Sequence, residues 1–437
     1  MGIAIIGALA FSSNAVSEDG LLPLSLKEVI RIGAQRNIQM IVANERLRQA
    51  IVRIEQENSV FIPRLTGTIA QKRQTTDIRA SGLSLPTSEN LIGPSNIFDA
   101  RLTLDQTIFD PAAIERLKAA QSDKNWSDAQ LRKIQQDVFA LVATLFIEAR
   151  SACQQEKLWQ LIEERDRKHL EIAKARNQSG TGSLVVWKQA QADYAQSVYR
   201  HRAAAREAEE WRLDLLAALG FSSKRQVTFL EDDNLPSALF PSLEHVADIM
   251  KDQPDVASAQ RATEQKQAEY QTEKAGYWPK VAAFAHYGPS GVAPNDANGT
   301  YAVGVQASIP IWEGGLRQAK VAEAESKLKE SQAVATDTRL QTEAAILSAA
   351  QAVQEASALI EARVAMVEVA EQYLEQTRQR AQNGSASALD LTDAVAQRES
   401  AVYDRQAAQA SYVIARINLA RAMGDVQSLI GNTNRLK

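Results

Sequence analysis

The chain repeats its own plan, and that repetition constrains its fold more than any local motif. Phe61-Ile62-Pro63-Arg64-Leu65 matches Tyr277-Trp278-Pro279-Lys280-Val281 at an offset of 216 residues. Gly180 to Ala190 matches Gly384 to Ala394 at an offset of 204, which also carries Leu219-Gly220 onto Met423-Gly424. Ile108-Phe109-Asp110 meets Ile311-Trp312-Glu313 at 203. A period of this size means one supersecondary unit written twice. The drop from 216 to 203 places 13 extra residues in the first copy, between Leu65 and Ile108. They fall in Thr75 to Ile97, a Ser/Gly/Pro/Asn-rich stretch that reads as a loop; its shorter counterpart is Gly288 to Thr300.

Alternating segments flank each loop. Phe98, Ala100, Leu102 and Leu104 point one way, while Asp99, Arg101, Thr103 and Asp105 point the other. This is the period of a strand with one apolar and one wet face. Tyr301, Val303, Val305, Ala307 and Ile309 repeat it against Ala302, Gly304, Gln306 and Ser308. Strands of about ten residues suit a tilted membrane-spanning barrel. Aromatics stand at the helix-side end of all four strands: Phe61, Phe109, Tyr277 with Trp278, and Trp312. An interfacial aromatic girdle would lie there.

Long helices follow the second strand of each copy. Neither Gly nor Pro occurs between Pro111 and Gly180, which predicts a rod of roughly 100 Å. In the second copy, Ile346, Val353, Ile360, Val367 and Leu374 recur at sevens, with Ala349, Ala356 and Ala370 completing a seam of close approach. Each rod turns at a glycine-bearing tip, Ser179-Gly180-Thr181-Gly182 or Asn383-Gly384-Ser385, and a shorter helix returns to Gly220 or Gly424.

Composition narrows the partners. Lys and Arg number 49 against 53 Asp and Glu, a net charge of −4, and no basic block occurs, so nucleic acid is not an expected partner. The lone Cys153 excludes an intrachain disulfide framework. The four histidines, His169, His201, His245 and His286, have no ligand spacing, and neither a metal site nor a cofactor is expected. No nucleophile-base pair or phosphate-binding glycine loop appears, so an enzyme is not expected. The longest apolar run, Ile3 to Phe11, is too short for a spanning helix and precedes Ser13-Asn14-Ala15, a small-x-small pattern; residues 1–15 read as an export signal despite lacking a positive start.

The expected organisation is then a first repeat over residues 16–220, a linker over 221–242, a second repeat over 243–424 and a flexible tail over 425–437. The first repeat reads as helix 26–60, strands 61–73 and 98–108, long helix 111–177 and helix 184–219. The second reads as helices 243–252 and 254–276, strands 278–288 and 300–310, long helix 313–382 and helix 387–423. Four strands cannot close a membrane barrel, so copies must join edge to edge; the strand count alone fits either three or four of them.

Phe-Ile-Pro-Arg-Leu at 61–65, Tyr-Trp-Pro-Lys-Val at 277–281, Ile-Trp-Glu-Gly-Gly at 311–315 and Gly-Ser-Ala-Ser-Ala-Leu-Asp-Leu-Thr-Asp-Ala at 384–394 resemble the TolC-type outer membrane efflux family, over about residues 25–424. The resemblance implies an α+β membrane protein, mainly α, whose four strands per chain join in a homotrimeric 12-stranded β-barrel continued by a long α-helical barrel. It implies a passive exit duct in the outer membrane of a Gram-negative bacterium, with a periplasmic tunnel. Its partners would be a periplasmic adaptor, an inner-membrane pump of resistance-nodulation-division or ABC type, and outer membrane lipid.

The resemblance also assigns residues. Asp390 and Asp393, three apart on one helix face, match the pair lining the periplasmic aperture, where a carboxylate ring would attract cations. Ser387 as N-cap with a favoured acid behind it is the local alternative. Val186 stands where well-known members carry another Asp, and Ala381 and Ala386 where they carry a gating Tyr and Arg, so an aperture held by fewer polar links is expected. Ser179, Gly180, Thr181, Asn383, Gly384 and Ser385 are the candidate adaptor contacts. The competing class is a trimeric coiled-coil structural or adhesive surface protein, to which long heptads are equally natural.

Overall fold

A computed structural model describes residues 21–77, 91–230 and 243–430. The export signal expected at 1–15 lies outside the described residues. The first repeat consists of β1 (Leu22–Leu24), α1 (Leu26–Arg36), α2 (Ile38–Asn58), β2 (Arg64–Asp77), β3 (Leu91–Phe109), α3 (Pro111–Gln178) and α4 (Leu184–Ala218). After β4 (Val227–Phe229), the second repeat runs α5 (Leu243–Asp252), α6 (Pro254–Ala275), β5 (Lys280–Gly291), β6 (Ala297–Ser308), α7 (Leu316–Gln382) and α8 (Ala388–Met423). The chain is mainly helical, and no helix among the described residues is long and apolar enough to cross a membrane.

Two compact units result. The sheet-bearing unit comprises Asn44–Gln130 and Val256–Thr338; the helical unit comprises the chain up to Ala43, Leu131–Asp255 and the chain from Arg339. In the first, four antiparallel strands pair in the order β2-β3-β5-β6, leaving β2 and β6 as edges. Its registers include Leu65↔Leu104, Leu102↔Tyr287 and Tyr287↔Tyr301. In the helical unit, a core of Val29, Ile30, Val138, Val142, Phe146, Ile147, Leu215, Leu219 and Ile417 joins α1, α3, α4 and α8. A Cβ on Gly33 would stand 3.1 Å from Val142, so α1 lies close on α3.

The helix expected over 26–60 is two helices, divided at Asn37. There the backbone is extended; Asn37 Nδ2 donates to Ala218 O at 2.8 Å while its Oδ1 accepts from Gln39 N–H. Gln253 takes the equivalent place between α5 and α6, donating to Ala422 O at 3.2 Å. Pro254 announces the second break in the sequence, whereas Ile38 gives no such sign.

Within the described residues the stretches read as loops are largely strand; residues 78–90 of the first lie outside them. β2 continues to Asp77 and β3 begins at Leu91, pairing Thr76↔Ile92 and Asp77↔Leu91 past a register shift. Backbone pairing there is independent of the side-chain alternation that identifies strands in sequence. The long helix placed at 313 starts at Leu316, because Gly314 and Gly315 both have positive φ (62° and 86°) and cannot be helical. The linker holds β4, which pairs in parallel with β1. The tail begins as a short 3₁₀ helix over 426–430, with Val426 buried and its N–H donating to Gln136 Oε1 at 2.9 Å.

Candidate functional site

The sheet carries the first functional surface. Cross-strand register puts Leu65, Ile69, Leu102, Leu104, Tyr287, Tyr301, Val303 and Val305 on one face. All are exposed, Ile69 at 81%, Tyr301 at 79% and Val303 at 76%. A contiguous apolar face of this extent is an interaction surface. The opposite face is polar on β2 and β3: Arg101 grips Asp99 through two hydrogen bonds of 2.7 and 2.8 Å, and Arg64 lies opposite Asp105. Phe109, Tyr277, Trp278 and Trp312 are exposed at the helix-side strand ends, and Phe61 is half-buried there.

The tips form a second surface, built alike in both repeats. At the first, the N–H groups of Thr181 and Gly182 donate to Arg176 O; at the second, those of Ser385 and Ala386 donate to Arg380 O. Gly180 and Gly384 hold φ of 75° and 72°. A Cβ on either would meet nothing within 4 Å, so the left-handed backbone alone calls for glycine within this chain. Ser179, Thr181, Asn383 and Ser385 are exposed.

The two repeats then part. Ser183 and Ser387 both N-cap their returning helices, but only Ser387 has an acid three residues on. Asp390 accepts from Ser387 N–H at 2.7 Å and from its hydroxyl at 2.8 Å, while Ser387 Oγ accepts from Asp390 N–H at 3.2 Å. This capping box holds the Asp390 carboxyl below its usual range, through the Ser387 backbone first and its hydroxyl second. Val186 holds the equivalent place in the first tip.

Asp393 does not share that cap. It is half-exposed in a cleft of about 510 Å³ lined also by Arg165, Asp166, His169, Val186 and Asp193. Arg165 Nη1 is 4.0 Å and His169 Nε2 3.5 Å from its Oδ1. The spacing of Asp390 and Asp393 is therefore legible in sequence, but their separate environments are not. Arg165 and His169 lie more than two hundred residues from Asp393 and carry no local signal.

A third cluster braces the helical unit. Asp255, at the start of α6, accepts from Arg421 at 2.7 and 3.2 Å, from Gln253 at 2.7 Å, and pairs with Lys133 at 3.0 Å. Arg421 also bonds Asp137. Burial alone would raise the Asp255 carboxyl; the bonds from Arg421 and Gln253 outweigh it and hold the group far below the carboxylate range.

An internally duplicated, mainly helical chain with a small sheet, apolar on one exposed face and polar on the other, defines a membrane-channel subunit. The family model described as outer membrane efflux protein matches residues 29–221 and 246–425. The chain belongs to that family, whose members are passive outer-membrane channels of tripartite pumps with a periplasmic helical tunnel. Solved structures share the fold: the Campylobacter jejuni CmeC outer membrane channel at TM-score 0.77 and 17% identity, covering 93% of this chain and 88% of that one. The outer membrane protein VceC of Vibrio cholerae aligns at 0.72 and 18%, covering 92% and 96%. The open state of the Neisseria gonorrhoeae MtrE outer membrane channel aligns at 0.68 and 19%, covering 92% and 89%. A search of curated protein sequences finds no match. Family membership gives no support to the adhesive alternative.

Proposed function

We propose that three copies of this chain form the outer-membrane exit duct of a tripartite efflux or type I secretion system in a Gram-negative bacterium. The sheet carries the reading. Its exposed apolar face suits lipid, its polar face suits a wet lumen, and its two edges lack partners within the sheet. In lipid each unsatisfied backbone group costs several kcal/mol, so the edges of neighbouring copies join, and three copies give a 12-stranded barrel.

The helix α7 supports copy-to-copy packing from the helical unit. Ile346, Val353, Val367 and Leu374 are buried, the seam used within the chain. Glu361, Glu368 and Glu375 lie on an exposed charged face. Leu359, Ala362, Met366, Val369 and Tyr373, spaced by threes and fours, form a further seam that is exposed, Met366 at 60% and Val369 at 62%. An apolar heptad seam facing solvent calls for a helix from another copy.

In this reading the tips Ser179-Gly180-Thr181 and Asn383-Gly384-Ser385 meet a periplasmic adaptor. Phe61, Phe109, Tyr277, Trp278 and Trp312 mark one membrane interface, and Asp390 with Asp393 line the aperture. An inner-membrane pump of resistance-nodulation-division or ABC type supplies the energy. Light scattering on the purified chain in detergent is expected to give the mass of three copies. A monomer that needs no detergent to stay in solution would contradict the assembly.

A further inference from the structure

The cleft behind the second tip holds an unbalanced set of charges. Three carboxylates line it, Asp166 from α3, Asp193 from α4 and Asp393 from α8, with one permanent cation, Arg165. Arg165 is engaged with Asp166 through Nε at 2.8 Å and Nη2 at 2.7 Å. Asp193 accepts from Gln189 at 2.8 Å. His169 Nε2 is enclosed and makes no hydrogen bond, although Asp393 Oδ1 lies 3.5 Å away. That separation is within reach of an ion pair and too long for a hydrogen bond.

We propose that His169 is a proton-operated tie between α3 and α8 that regulates the charge of the aperture. This rests on the reading of Asp393 as an aperture residue. Histidine changes charge between about pH 5 and 8, and protonation makes both ring nitrogens donors. The charged ring then faces Arg165 as a second cation among three carboxylates. A side-chain adjustment of under about 1 Å converts the 3.5 Å approach to Asp393 into a charge-assisted bond. Two consequences follow together: the first turns of α8 are pinned to α3, and the Asp393 charge is neutralised. Repeated in each copy, proton uptake weakens the cation preference of the duct. At the offset of 204 the first repeat carries Gln189 in place of Asp393, and the second carries Tyr373 in place of His169, so the tie belongs to the second tip alone.

The test uses the full chain in planar lipid bilayers under a KCl gradient, with the reversal potential read from pH 8 to pH 5.5. In the wild type the potassium-to-chloride permeability ratio is expected to fall by roughly two-fold or more. His169→Gln should hold the pH 8 ratio throughout; Asp393→Asn should start low and stay flat. A fall retained in His169→Gln overturns the proposal. So does one retained in Asp393→Asn, since a charge near the pore without the tie would behave that way. Hydrogen exchange of residues 388–394 in detergent, corrected for intrinsic rates, tests the tie without conduction. Protection should rise from pH 8 to 5.5 in the wild type and not in His169→Gln. Absence of that difference overturns the tie, whereas absence of channels in bilayers with the exchange difference present counts against the duct and leaves the tie standing.

Discussion

Asp255 gathers three side chains, Arg421 of α8, Lys133 of α3 and Gln253 of the joint before α6, and its ionisation is linked to folding. The free carboxyl titrates near 3.8, and in the folded chain it titrates far lower. Its stabilising contribution is therefore complete above about pH 4 and is lost only as the pH falls through the depressed folded value. The side chains of Asp255 and Arg421 are 15% and 20% exposed, so the pair is partly screened. Asp255→Asn is expected to cost about 2 kcal/mol, below the 3–5 typical of a fully buried pair broken on one side. Thermal melts followed by helical circular dichroism should show that deficit at pH 7 and at pH 5. It should narrow only in strong acid. None of this was legible beforehand, because Asp137, Lys133 and Arg421 lie far from Asp255 in the chain. The cap at Ser387 was legible, since its pattern fits within one helical turn.

Elements are legible in the sequence where one period dominates and are not where two faces are alike. The alternation in β3 and β6 put Leu102, Leu104, Val303 and Val305 on one side, and the register places them together. The strand extensions at 75–77 and 91–97 carry no alternation to mark them: Leu91 and Ile92 fall on opposite faces and Gly93-Pro94 interrupts the run. Val303→Lys on the apolar face is expected to oppose membrane insertion by about 2–4 kcal/mol near mid-membrane. Gln306→Lys on the other face should insert normally, and flotation of vesicles carrying each variant distinguishes them. On α7, the heptad at 346–374 was legible, but the second seam at 359–373 appears only when exposure separates it from the first. Met366→Lys should leave the helical content of the chain unchanged and lower the assembled mass seen by light scattering. Full assembly in that variant would remove the seam from the interface.

At the scale of the molecule, the duplication reaches individual hydrogen bonds. Asn37 and Gln253 cap the same carbonyl position in the two repeats, Ala218 and Ala422, and the tips gather their amides on Arg176 and Arg380. Those pairs keep the offsets of 216 and 204 found in the sequence. The repeats differ where the aperture is proposed: Val186 against Asp390, with Asp393 drawn toward α3. Sequence alone revealed the plan because strand period, rod length and glycine tips recur in order. It left the number of copies open, since edge pairing fixes only that strands must meet. The most direct test of the duct is conduction by the purified chain in a planar lipid bilayer. Discrete, cation-preferring conductance steps are predicted, with a weaker preference in Asp390→Asn/Asp393→Asn. A bilayer that stays silent while the chain remains soluble without detergent would contradict the account.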